Sequence, residues 1–583
     1  MPARSIDTVG VTHACVGATH ASPLLVILIG VLATVPYLNA LQADFVFDDA
    51  HLIRDNPAVQ VLPAVDLFHY VHPAGGLYRP LTMLTYAANA ALNPAPFAYH
   101  LVNLVLHALV SLGVFALARH LLESTTAATA AAALFAVHPI HTEVVTGIVG
   151  RAELLAALSV VAMLLAFARA QRTEGPARWL WSTSAVAAFA AGVLAKENAF
   201  TGLGLLIVLH WWIDRRATAV QRIAALTPYL AVAGAYLALR LAVLGTFGLS
   251  QPPTLLDNPL AHVDTATRLR TAVVVLGEYL EQLAVPLHLS ADYSFNQIAL
   301  AAGWGDPRFV LAAALLAAVA VAVTGTVRRA PQLALAAAFT AIPLALTANL
   351  LFPIGTIKAE RLLYLPSLGW CLGCGWLAAL AIEHKRSIGA LALSAVVAAY
   401  AVRTWTRNGD WRSEDTLFAA TLRDAPRSAK AHYNGAIVLQ RAGQLDDAMV
   451  HYRRALEMYP AYGAAAYGIG HVYALKGIEV GALAWYEEAI RREPAFAQAH
   501  LQIALLHYAR DRFDSAEAAL VTGLEGEPHN PTLLVNLGAV HLAQGDAWRA
   551  GAALVRLDGI GMLDTREHAL VTAARREIEV ALR

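Results

Sequence analysis

The chain has 583 residues, with 42 Lys and Arg balanced by 42 Asp and Glu, and only 14% of its residues are charged. A soluble domain carries roughly a quarter charged residues, so lipid must solvate much of this chain, whose mean hydropathy is +0.52. Scattered basic residues and a balanced charge give no footprint for nucleic-acid binding.

From the N-terminus to about Trp405 the sequence alternates apolar runs with short polar connections. A membrane-crossing helix needs ~20 apolar residues. Candidate spans lie near 23–41, 99–120, 126–146, 153–170, 180–195, 198–213, 223–243, 307–327, 332–351, 362–382 and 387–404, which predicts about eleven crossings. The first reads as an uncleaved span following a short cytoplasmic segment, 1–22. Lys and Arg collect at Arg169–Arg172–Arg178, Arg215–Arg216–Arg222, Arg328–Arg329 and Lys385–Arg386. If these turns are cytoplasmic, the alternation is consistent: the N-terminus is inside, and the loops 42–98 and 244–306 and the C-terminal region are outside. The run 270–290 carries Glu278 and Glu281 and reads as an interfacial or re-entrant helix. Cys371 and Cys374 sit in an apolar run without a second Cys/His pair, so they read as small buried hydrophobes, not as a metal knuckle.

Beyond Arg412 the composition changes. Pro426, Pro460, Pro494 and Pro528 stand 34 residues apart, the period of the tetratricopeptide repeat (TPR). Gly443, Gly477 and Gly545 share that register, as do Ala448, Ala482, Ala516 and Ala550, and Tyr452 and Tyr486. Small residues let paired helices cross closely, and the prolines end the second helix of each unit. The domains predicted are therefore a membrane domain over 23–405, a connector and half repeat over 406–428, and a TPR array over 429–583 with a C-terminal capping helix. The fold class is all-α.

Polar groups at membrane edges are expensive, so their clustering needs a reason. Three clusters fall in the expected outer loops. ADFVFDDAHLIRDN offers Asp44, Asp48 and Asp49, adjacent carboxylates suited to general-base or positioning work; an acidic helix flank is the plain alternative. HPIHTEVVTGIVGRAE offers His138, His141, Glu143, Arg151 and Glu153, either an active-site wall or a structural hydrogen-bond network. His-x-x-His alone argues weakly for a metal. IKAERLLYLPS offers Lys358, Glu360 and Arg361, cations suited to a lipid phosphate or to simple snorkelling. Smaller signals are Arg79 in YRPL, the helical stripe His100, Asn103 and His107, and Lys196–Glu197 in AKEN, read as an ion pair closing a hairpin.

Taken in succession, FVFDD, YRPL, HLVNLVLH, FAVHPIHTEVVTGIVGRAE, AKEN, AERLLYLPSLG and then TPRs resemble the transmembrane-and-TPR O-mannosyltransferase family of GT-C glycosyltransferases. The resemblance runs from about Phe45 to the end of the array. It implies a GT-C membrane domain and an outer-face active site. It also implies a polyprenyl-phosphate sugar donor, with mannose the usual sugar. The reaction expected with it is inverting transfer to Ser or Thr hydroxyls, and the concave face of an outer TPR array suits an extended acceptor polypeptide. The family's acidic motif falls on Asp48 and Asp49 as catalytic residues. Lys358, Arg361 and Arg79 are then expected to hold the donor phosphate, with the His138–Glu153 cluster as the wall. GT-C enzymes with monophosphate donors often need no metal, so no ligand set is assigned, although a divalent ion stays open. An Ala-rich bacterial chain would sit in the inner membrane with a periplasmic site; a eukaryotic one would face the reticulum lumen. A GT-C enzyme acting on a lipid or glycan, a membrane-anchored TPR scaffold and a transporter are the competing readings.

Overall fold

The computed structural model describes residues 22–61, 63, 65–71, 77–247, 252–558 and 565–582. Most of the expected cytoplasmic segment 1–22 therefore lies outside the described residues. Every described element is helical. All eleven apolar stretches fall on helices: Pro23–Gln42, Pro96–Leu122, Thr125–Ala136 with its bent continuation to Val145, Arg151–Ala170, Gly175–Ala195, Thr201–Ile213, Ala219–Leu244, Pro307–Thr326, Pro331–Thr347, Ser367–His384 and Arg386–Asn408. Six are long and apolar enough to cross a membrane, or seven if the pair bent by 46° counts as one. By length and hydropathy, then, six or seven of the eleven expected crossings pass. Two of the others are short, Thr201–Ile213 with 13 residues and Pro331–Thr347 with 17. The chain is a multi-pass membrane protein.

The bundle is organised by antiparallel returns. Helix Thr125–Ala136, an alanine-rich run, is almost wholly buried between Pro96–Leu122 and Ser367–His384. Large apolar side chains such as Ile27, Leu311 and Val321 stay exposed, as lipid-facing positions should. A 20-residue helix is ~30 Å long, so each return separates the turns into two sets. One set holds the arginine-rich turns after residues 170, 213, 326 and 384. The other holds the loops around 43–49, 137–150, 196–200, 245–306, 348–363 and 409–412, and these touch one another.

Helix Thr265–Ala284 is not among the helices fit to cross a membrane. The chain before it and after it meets the same place. Phe295 N–H donates to the Leu256 carbonyl at 3.0 Å, Asp257 pairs with Lys430, and Ala429 N–H donates to the Phe295 carbonyl at 2.7 Å. A helix of this length that crossed the bilayer would part its flanks; instead both flanks dock on the start of the array.

The array follows the 34-residue register. A lone helix Glu414–Asp424 is followed by the pairs Ala429–Arg441 and Leu445–Met458, Gly463–Leu475 and Glu479–Arg492, Ala497–Tyr508 and Phe513–Gly526, and Pro531–Ala543 and Ala547–Asp558. Helix Thr565–Leu582 closes the end, burying Val571 and Ile578. Ala448, Ala482, Ala516 and Ala550 are fully buried at the helix crossings. Gly443, Gly477 and Gly545 turn between paired helices with φ of 78°, 74° and 79°; the same turn in the third pair is made by Asp511 at φ 56°.

Candidate active site

The two adjacent aspartates divide the work. Asp49 is fully buried. One carboxylate oxygen accepts N–H bonds from Val46 (3.2 Å) and Ile148 (3.3 Å), the other from Val149 (2.8 Å). It fastens its own loop to the TGIVGR turn. Burial pushes its carboxyl up to about 7, against the pull of the three N–H groups. Asp48 is half-exposed and lines a small cavity with Phe47, Glu143, Gly150, Arg361 and Trp411. Phe47 holds φ at 55°, a strained conformation for a bulky residue, immediately before Asp48. Gly150 is needed here because a Cβ would sit 2.1 Å from the Val144 carbonyl oxygen.

Glu143 is buried and binds Arg361 twice. Its carboxylate accepts from the Arg361 guanidinium at 2.6 Å and from the Arg361 backbone N–H at 2.8 Å. The Arg361 side chain is still 31% exposed, so one face of the cation remains available. Nearby, Arg79 makes a fork onto Glu197 at 2.5 and 3.1 Å. Burial alone would raise the Glu197 carboxyl, but Arg79 holds it well below the usual carboxylate range. Lys196 and Asn198 both hold Glu153. The AKEN residues therefore do not pair with each other, as expected from their adjacency; each reaches across to a different partner, because the extended backbone at Lys196 sends neighbouring side chains apart.

Several expected site residues serve the scaffold instead. His138 is buried, with its ring nitrogens at 3.1 Å from the Leu283 carbonyl and 3.3 Å from the Ile140 N–H. His141 bonds Ser367 at 2.8 Å and packs among the rings of Phe135, His107 and Tyr364. Arg151 is fully buried and donates to Asn103, Asn89 and the carbonyls of Thr85 and Tyr99, with the Tyr86 ring 4.9 Å from its guanidinium carbon. None of the three lines the cavity beside Asp48. The stripe His100, Asn103 and His107 is an internal hydrogen-bonding ladder: His100 meets the Ala43 carbonyl, Asn103 those of Gly147 and Ile148, and His107 that of Ala136. Lys358 also lies outside this cavity. It is 4% exposed, 2.8 Å from Glu278, with its ammonium 4.6 Å from the Tyr293 ring centre. Glu360 is locked beneath it by Arg407, the Tyr293 hydroxyl and the Ser290 N–H. Among the described residues no three His, Cys, Asp or Glu groups converge as metal ligands would.

Residues 251–320 match the family described as protein O-mannosyl-transferase TMTC, DUF1736. Human protein O-mannosyl-transferase TMTC3 is 30% identical over 77% of this chain and 53% of its own length. Mouse TMTC4 is 31% identical over 73% of this chain and 65% of its own. The chain resembles the TMTC proteins. It spans about half the length of the TMTC3 relatives it matches. A thermophilic TPR protein of Thermus thermophilus is 21% identical and covers 35% of this chain and 98% of itself, with a TM-score of 0.24. The segment matching the TMTC description contains helix Thr265–Ala284 and the loop that docks on the array.

Trp411 is the wall residue that motif reading passed over. It is 3% exposed and its indole N–H is buried without a partner among the described residues. It lies in the connector, where the Asp44 N–H donates to the Arg412 carbonyl at 3.0 Å and Val46, Leu417 and Phe418 pack around it. No spacing signal could have found it; the only hint is a tryptophan at a domain boundary.

Proposed function

We propose that this chain is a membrane protein O-mannosyltransferase of GT-C type. It would take mannose from a polyprenyl-phosphate donor and pass it to Ser or Thr hydroxyls of a polypeptide held by the TPR array. The observation that carries this reading is the meeting of Asp48 with the Arg361–Glu143 pair in one cavity, at the end of the bundle where the array joins. The names of the TMTC relatives support the reaction class. A scaffold needs no such cavity.

In this reading Asp48 is the base. Both aspartates border the cavity, but Asp49 is fully buried with its oxygens taken by three N–H bonds, whereas Asp48 is partly exposed. Asp48 takes the acceptor hydroxyl proton as that oxygen attacks the anomeric carbon. The bond from that carbon to the phosphate oxygen breaks, the configuration inverts, and the phosphate keeps the electron pair. Arg361, with Arg79 behind it, faces the growing charge, where a fixed cation lowers the barrier most. Glu143 holds Arg361 in place, and Glu153 holds Lys196 beside it. Lys358, neutralised by Glu278, leaves this cradle. The arginine-rich turns would lie on the cytoplasmic side, placing the site and the array on the opposite face: periplasmic in a bacterial inner membrane, lumenal in the reticulum.

The test is transfer of radiolabelled sugar from several polyprenyl-phosphate sugars to extracted proteins. Asp48→Asn should cost 10²- to 10⁴-fold, the range of general-base loss, and Arg361→Ala about 10²-fold. Full transfer by Asp48→Asn would end the base assignment. Equal transfer from glucose- and mannose-linked donors would end the choice of mannose.

A further inference from the structure

Three residues before Arg361, Lys358 faces a second cavity of about 200 Å³. Its walls come from both parts of the molecule. Helix Thr265–Ala284 gives Glu278, Glu281 and Gln282, the loop after it gives Tyr293, and the end of the half repeat gives Arg427. We propose that this cavity at the seam between membrane domain and array is a binding subsite for a neutral hexose, distinct from the cavity beside Asp48.

The chemistry of the walls selects the ligand class. The one buried cation is already satisfied, since Lys358 is 2.8 Å from Glu278 and lies over the Tyr293 ring; Arg427 adds a cation at the exposed rim, but Glu278, Glu281 and Asp424 outnumber the two, so a phosphate gains little there. The remaining demand is for hydrogen-bond donors. Gln282 spends its amide N–H groups on the Tyr293 hydroxyl at 2.8 Å and the His288 carbonyl at 3.3 Å. Its amide oxygen is buried with no partner among the described residues. Since His288 presents a carbonyl, the amide cannot be turned round to cure this. Glu281 adds a carboxylate that only accepts. A ligand that brings several hydroxyls and donates to carboxylate and amide oxygens meets this set.

This inference rests on the proposed reaction only for the identity of the hexose as mannose. The sugar would come from one of two sources, the donor or an acceptor chain that already carries one. Binding is measured on the full chain in detergent by isothermal titration with methyl α-mannopyranoside, an O-mannosyl-threonine peptide and the same peptide without sugar. The mannoside and the mannosyl peptide should bind, with the bare peptide at least about tenfold weaker. Gln282→Met and Glu281→Ala should each weaken the mannoside about tenfold, the effect of losing one good hydrogen bond, while Asp48→Asn should not. Competition by polyprenyl-phosphate mannose assigns the sugar to the donor, and its absence assigns it to the acceptor chain. If Gln282→Met lowers the melting temperature, Glu281→Ala decides. Absence of saturable binding overturns the inference, as does equal binding of the bare peptide, binding untouched by Glu281→Ala, or loss of binding in Asp48→Asn alone. Sugar transfer without this binding sinks the subsite and leaves the reaction standing; binding without transfer does the reverse.

Discussion

Adjacent, identical side chains can have opposite duties, and Asp48 and Asp49 can be told apart by stability. Asp49→Asn swaps an oxygen that accepts N–H bonds for an NH₂ that opposes them, which should cost about 1–3 kcal/mol; Asp48→Asn should leave the melting temperature within about a degree while transfer falls. The pH dependence has a definite sign. With its carboxyl raised to about 7, Asp49 favours the folded state most below pH ~4, and that contribution is lost as pH rises through 7. The deficit of Asp49→Asn in thermal unfolding should therefore be larger at pH 5 than at pH 8, by on the order of 2 kcal/mol. A second residue-scale expectation concerns Arg151. Lys has neither the reach nor the fork for four acceptors on two helices, so Arg151→Lys should lower stability by about 2–3 kcal/mol and slow transfer only in proportion to the protein lost. The residue types in HPIHTEVVTGIVGRAE announced a polar knot but not its internal division. Glu143 faces the cavity while His138 and His141 bond Leu283 and Ser367, partners 145 and 226 residues away. Local spacing carries no record of such distant partners.

At the scale of the element, hydropathy located each apolar helix and the proline register located each repeat, because both signals are periodic and local. Helix ends were less legible. The apolar stretch expected over 198–213 starts as a 3-10 turn, Glu197–Phe200, because Lys196 and Glu197 are drawn to Glu153 and Arg79. Gly443, Gly477 and Gly545 were read as small residues for close helix crossing, yet they make left-handed turns, and the third turn of the series is made by Asp511 in the same conformation. A side chain there costs roughly 1 kcal/mol or more, though Asp is among the tolerant residues. Gly477→Ala should therefore loosen its turn, seen as faster hydrogen exchange of the amides around 476–482, whereas Asp511→Gly should slow exchange around 510–516. Equal behaviour of the two would mean that packing, not backbone conformation, sets the strength of these turns. The amphipathic helix Thr265–Ala284 was recognisable by its glutamates. Its docking on the array was not, since Asp257, Asp292 and Phe295 find Lys430, Ser428 and Ala429 only when the whole chain is folded.

For the molecule as a whole, that docking changes how the array can be removed. A cut after Arg412 strips Ser428 and Ala429 from the loop around Phe295 and also loosens Trp411 beside the cavity. A cut after residue 496, which keeps the first two full repeats, leaves both contacts intact. The shorter cut should abolish transfer to every acceptor. The longer one should spare transfer to a short hydroxyl peptide and reduce it for a long polypeptide, measured as the ratio of the two rates. An unchanged ratio would mean that the distal repeats do not hold the acceptor. The same docking sets an order in time. The Asp292 carboxylate waits for the Ser428 hydroxyl, 136 residues later in the chain. At about 5–20 residues per second, a ribosome needs about 7–27 seconds to supply it. Through that interval the loop beside the Asp48 cavity has no array to close against, so a nascent chain acquires its completed entrance only after its last membrane helix has been made.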